Sequence, residues 1–124
     1  MNHKRPVNLD LGSLKYPPMA VASLLHRISG LALFFLFPFM LYLLSLSLSS
    51  EASYAQLQTM IGSPIHKILL WVFSTALIYH IIAGIRHIVM DIGFGESLVA
   101  ARNSAIAIIV LAIILAIFLG IWIC

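Results

Sequence analysis

The chain has 124 residues, 62% of them hydrophobic and 9% charged, with a formal charge of +3. Seven Lys and Arg and four Asp and Glu residues are too few to clothe a soluble domain of this size, and the length holds one small domain or helix bundle, not two. The basic residues flank apolar runs and form no patch, which excludes a nucleic-acid partner and points to membrane lipid.

Residues 1–18 are polar and end in Pro17-Pro18, which disfavours helix immediately before it. The first span is expected over about 22–48, inside the apolar stretch Met19 to Leu48. Its uncharged part, Ile28 to Leu48, is long enough for a hydrocarbon core of about 30 Å, which takes about 20 helical residues. It exceeds the roughly 7–15 residues of a cleaved signal core, so an uncleaved anchor is expected. Pro38 lies inside it and predicts a kink rather than a break. Residues 49–64 form a polar connector. The second span is expected over 65–90, ending at the turn Asp91-Ile-Gly-Phe-Gly-Glu96, and the third, free of charge, over 104–124. Three spans cannot close a barrel, so the predicted fold class is all-α: an integral membrane bundle of three transmembrane helices, one domain over 1–124. Cys124 stands alone and makes neither an internal disulfide nor a cysteine cluster.

Lys4, Arg5, Lys15 and Arg27 precede the first span, and Arg86 and Arg102 flank the second loop; only Lys67 lies by the first loop. This asymmetry predicts a cytoplasmic N-terminal segment and second loop, with the C-terminus on the opposite side.

Polar residues inside a span are costly and face an interior, a cavity or a cofactor. In the second span His80, Gly84, His87 and Asp91 recur at i, i+4, i+7 and i+11 on one helical face, flanked by Ala76 and Ala83. A histidine bordered by small residues suits a b-type haem; equally, the small residues permit close helix packing while His80 hydrogen-bonds across the bundle. His80 and His87 are about 10.5 Å apart along the axis. Two axial nitrogens on one iron are only about 4 Å apart, taking about 2 Å per metal–imidazole bond, so these two cannot share it. His87, at the level of Arg86, is better placed to meet propionates. His26 is expected nearer the level of His87 than of His80, so a second ligand to the iron is expected from a partner subunit. Asp91 either caps or pairs with Arg86 or Arg102, or serves a proton path.

The second cluster is Ser23, His26, Arg27 and Ser29, followed by Gly30. Ser23 and Arg27 project together at i, i+4. A hydroxyl and a fixed cation suit a quinone, one carbonyl accepting from the hydroxyl and the cation stabilising the charge of reduction. The plainer reading is an Arg27 that snorkels to lipid phosphates. His66 is expected at the interface, and Tyr42, Trp71, Tyr79 and Trp122 in belts or packing.

Three segments carry a family resemblance: Arg5-Pro-Val-Asn-Leu-Asp-Leu11, Ser23-Leu-Leu-His-Arg-Ile-Ser-Gly30 and His80-Ile-Ile-Ala-Gly-Ile-Arg-His-Ile-Val-Met-Asp91. In this order, on three spans, the chain resembles the cytochrome b membrane-anchor subunits of bacterial succinate dehydrogenase, respiratory complex II. The resemblance implies a complex with a flavoprotein subunit that oxidises succinate, an iron–sulfur subunit, and a second small membrane-anchor subunit. It implies haem b held between the two anchors, with His80 as one axial ligand and the other from the second anchor. Ser23 and Arg27 would line the ubiquinone site, and His26 and His87, with Arg86 beside them, the propionate vicinity. The N-terminus lacks an Arg- and Ser-rich transit segment, so the expected location is the bacterial cytoplasmic (inner) membrane, multi-pass, with the C-terminus periplasmic. No flavin or dinucleotide fingerprint is present, so succinate oxidation belongs to another subunit. The competing readings are an anchor of a quinol:fumarate reductase and a cofactor-free membrane tether.

Overall fold

A computed structural model of the chain describes residues 18–124. The Arg5–Leu11 motif, His3, Lys4, Lys15 and Pro17 lie outside the described residues. Four helices follow in order: α1 Pro18–Ser49, α2 Glu51–Ile61, α3 Pro64–Asp91 and α4 Leu98–Ile123. Three of them, α1, α3 and α4, are long and apolar enough to cross a membrane. The fold is all-α and the protein is a membrane protein.

α1 starts at Pro18, where a fixed φ and a missing N–H cost a helix nothing, and it runs without a break through Pro38. The polar connector is itself helical. Ser50 caps α2 by accepting from the Ser53 amide, while the Ser53 hydroxyl accepts from the Ser50 amide. The Ser53 hydroxyl also donates to the Leu46 carbonyl at 2.7 Å, which ties α2 back onto α1. Pro64 then opens α3, and the Ser63 hydroxyl pairs with Nδ1 of His66 in its first turn.

α3 ends in a Schellman turn: Phe94 N–H bonds the Val89 carbonyl and Gly93 N–H the Met90 carbonyl. Gly93 carries the required positive φ of 99°. Ser97 caps α4 by accepting from the Ala100 amide, so α4 begins at Leu98, ahead of the uncharged run from Ser104.

The packing is that of helices in lipid. The buried apolar residues are mostly small (Ala22, Ala83, Ala101, Ala105 and Ala112), while Phe34, Phe35, Leu48, Ile121 and Trp122 point outward. Lipid tails offer large side chains the same apolar surroundings as a core, so association relies on close backbone approach and interhelical hydrogen bonds. Several such bonds join spans, among them those in which Tyr79 donates to the Ala22 carbonyl at 2.7 Å and Trp71 to the Ala116 carbonyl at 2.8 Å.

Candidate functional site

α1 and α3 run antiparallel, and their shared seam gathers three imidazoles. The rings of His26 and His80 stack with centroids 4.1 Å apart and planes 10° from parallel. His87 meets His26 edge-on at 5.2 Å. His26 therefore sits between the two α3 histidines and closer to His80, not level with His87 as expected. The reason is the start of α1: eight helical residues precede His26, which places it about 12 Å into the helix rather than at its entry.

Small residues make the seam this close. Gly30 faces the edge of the His80 ring, and Gly84 faces Nε2 of His26. Below the stack, Ser29 is buried, and its hydroxyl donates to the His26 carbonyl at 2.7 Å. Nδ1 of His80 lies 2.9 Å from that hydroxyl and 3.2 Å from the same carbonyl. His80 does hydrogen-bond across the bundle, through one ring nitrogen.

Arg86 is not part of the cluster. It is buried, with Nε donating to the Ser104 hydroxyl at 2.9 Å and Nη2 to the Ala101 carbonyl at 3.0 Å. The guanidinium thus ties α3 to α4. Ser23 is half-buried and Arg27 exposed, one turn apart on α1. Asp91 is exposed at the last turn of α3. His66 is remote from the cluster and lies over Phe39. Trp71 and Tyr79 are packing residues with interhelical bonds.

Between α1, α3 and α4 an apolar crevice of about 380 Å³ adjoins the seam, with Ser29, Thr75 and Tyr79 in its wall. The Thr75 hydroxyl is the one buried side-chain polar atom without a partner among the described residues. Sequence reasoning missed three features here: the Ser29 contact, the Arg86–Ser104 tie and the Thr75 hydroxyl. Only Ser29, sitting within the polar cluster on α1, left a signal that pattern reading could have followed.

Among the described residues no three or more His, Cys, Asp or Glu side chains converge as a metal cage. A porphyrin carries four nitrogens of its own and asks of the protein only axial ligands. The donor set here, the His80 imidazole bordered by Gly30, fits that requirement.

Residues 1–119 match the family model described as succinate dehydrogenase/fumarate reductase transmembrane subunit. The chain is 44% identical over 124 residues to the succinate dehydrogenase cytochrome b556 subunit of Coxiella burnetii (strain RSA 493 / Nine Mile phase I), covering 99% of each chain. It is 36% identical over 117 residues to the subunit of the same name from Rickettsia prowazekii (strain Madrid E), covering 94% of this chain and 91% of that one. Against the Paracoccus denitrificans subunit the identity is 30% over 113 residues, with 91% and 87% covered.

Proposed function

Because the chain belongs to the succinate dehydrogenase/fumarate reductase transmembrane subunit family, we propose that it is the cytochrome b anchor of a succinate:quinone oxidoreductase, binding haem b and ubiquinone. The observation that carries this reading is the His26–His80–His87 cluster at a glycine-bordered seam, in a chain whose relatives are named cytochrome b556 subunits. Those names favour the succinate-oxidising direction over the fumarate-reducing one that the family description also covers.

Haem b, when bound, supplies a one-electron centre. His80 is the residue of this chain that would hold its iron, with a second small membrane-anchor subunit contributing the other protein ligand. His26, stacked on His80, and His87, beyond His26 on the same seam, would serve as donors for the propionates. Arg86, the remaining candidate for that vicinity, has its guanidinium committed to α4 and would add positive charge only from outside the cluster. Ser23 donates to a quinone carbonyl, and Arg27, on the same face one turn away, stabilises the negative charge that reduction places on the ring. Asp91 lies at the mouth of a proton path to that site. An iron–sulfur subunit delivers the electrons from a flavoprotein subunit that oxidises succinate. Both dock on the cytoplasmic face of the inner membrane, where the N-terminal segment and the α3–α4 turn lie, and the C-terminus is periplasmic.

The test is a reduced-minus-oxidised spectrum of the purified membrane complex. His80→Leu keeps an apolar helix but removes the ligand, so it should lose or strongly perturb the b-type bands, while His66→Leu should not. Unchanged bands in the His80→Leu complex would remove His80 from the site. A wild-type complex with no b-type spectrum would leave only a tether.

A further inference from the structure

We infer that Ser29 is the positioning residue of the His80 imidazole, holding the ring proton on Nδ1 so that Nε2 is the nitrogen offered to iron. This rests on the haem reading above. A serine hydroxyl has a single proton, and that of Ser29 is donated to the His26 carbonyl at 2.7 Å. Toward Nδ1 of His80, 2.9 Å away, the Ser29 oxygen can therefore only accept. The His26 carbonyl, 3.2 Å from the same Nδ1, can also only accept. Two acceptors converge on one ring nitrogen, so that nitrogen carries the proton. In a neutral imidazole the other nitrogen then holds the lone pair that a metal requires.

The ring is held in this orientation from several sides. Turned over, it would present a carbon to Ser29 and leave its oxygen without a donor, a penalty that burial makes real because Ser29 is only 6% exposed. The stacked His26 ring covers one face, and Gly30 abuts the Cε1 edge. A hydrogen bond given by the far nitrogen also raises the basicity of the ligating one, and a more basic imidazole stabilises the oxidised iron. The role is thus electronic as well as steric.

The experiment uses the intact complex and compares wild type with Ser29→Ala, Ser29→Thr, Ser29→Cys and His80→Leu. Haem occupancy and the midpoint potential of the b-type bands are measured by redox titration. Ser29→Ala should raise the midpoint potential and weaken haem retention roughly tenfold, in the range found when an outer partner of a metal ligand is lost. Ser29→Thr keeps the hydroxyl and should restore both. Ser29→Cys, a weaker acceptor of nearly the same shape, should give a smaller shift in the same direction, and it serves the test if the alanine complex does not assemble. An unmoved potential in Ser29→Ala or Ser29→Cys would overturn the proposal, as would Ser29→Thr shifting as far as Ser29→Ala. His80→Leu separates the two readings: if it keeps the wild-type spectrum, the ligand assignment fails. If it loses the spectrum while Ser29→Ala titrates as wild type, only the positioning role fails.

Discussion

Gly30 of α1 is the surface on which His80 of α3 rests: a Cβ added to Gly30 would stand 3.0 Å from Cε1 of His80. The relation is returned at the other end of the seam, where a Cβ on Gly84 would stand 3.6 Å from Nε2 of His26. Each helix carries a histidine followed four residues later by a glycine, and the antiparallel register lays each histidine against the other helix's glycine. The same side chain at the two glycines therefore has unequal consequences.

Gly30→Ala forces the His80 ring to move by a few tenths of an ångström, against a stacked neighbour and a buried hydrogen bond. Overpacking of this kind costs about 1–3 kcal/mol. The b-type spectrum of the Gly30→Ala complex should shift or weaken relative to protein. Gly84→Ala makes an ordinary van der Waals contact and should leave the spectrum near wild type. Equal effects at both positions would contradict the asymmetry.

The three spans and the polar face of α3 were readable because 3.6-residue periodicity and length report on azimuth and reach alone. What periodicity does not report is register between helices. The pairing of His26 with His80 required knowing that α1 begins at Pro18, well before its uncharged run at Ile28. The direction of Arg86 was hidden for a different reason. A long side chain adjacent to His87 in sequence lies about 100° around the helix from it, and its partners, Ser104 and Ala101, are on α4. The α2 helix was hidden because its capping box uses Ser53 where the familiar signature has Glu or Gln.

Arg86 is a buried cation bonded to neutral partners, so its loss should be felt across the α3–α4 contact. Arg86→Met keeps bulk but leaves the Ser104 hydroxyl and Ala101 carbonyl to each other, removing charged hydrogen bonds worth about 1.5–3 kcal/mol each. Ser104→Ala removes one acceptor and should cost about 1 kcal/mol. Arg86→Lys cannot reproduce the two-pronged contact and should fall between. Thermal unfolding of the detergent-solubilised complex ranks the three, and Ser104→Ala proving the most damaging would break the argument.

The basic-residue asymmetry makes a prediction about sidedness. With Cys124, exposed at the end of the chain, replaced by serine, a cysteine at Ser53 in α2 should react with an impermeant thiol reagent added to intact cells. A cysteine at Gly95, in the exposed α3–α4 turn, should react only after the membrane is opened. The native Cys124 should label from outside like position 53. The reverse pattern would invert the protein and move the docking face of the soluble subunits to the other side.

Ser23 and Arg27 lie one turn apart on α1, outside the imidazole stack, the serine half-buried and the arginine exposed. A hydroxyl held at the edge of the seam beside a cation free to reach outward is the arrangement a carbonyl-bearing lipophilic acceptor needs. In the quinone reading proposed above, the hydroxyl would donate to an oxygen that gains charge during reduction, and the arginine would stabilise that charge where surrounding lipid keeps the dielectric low. Both contacts strengthen as charge develops, so their loss should fall on turnover with quinone and not on the chemistry of succinate. Ser23→Ala and Arg27→Leu should slow quinone reduction roughly ten- to a hundredfold, the equivalent of about 1.5–3 kcal/mol for a charge-assisted hydrogen bond. Succinate oxidation coupled to a water-soluble artificial acceptor should stay near the wild-type rate in both. If both activities fall together, the substitutions have damaged assembly. If quinone reduction is untouched in both variants, the quinone binds elsewhere, and Arg27 serves only to anchor α1 among lipid phosphates.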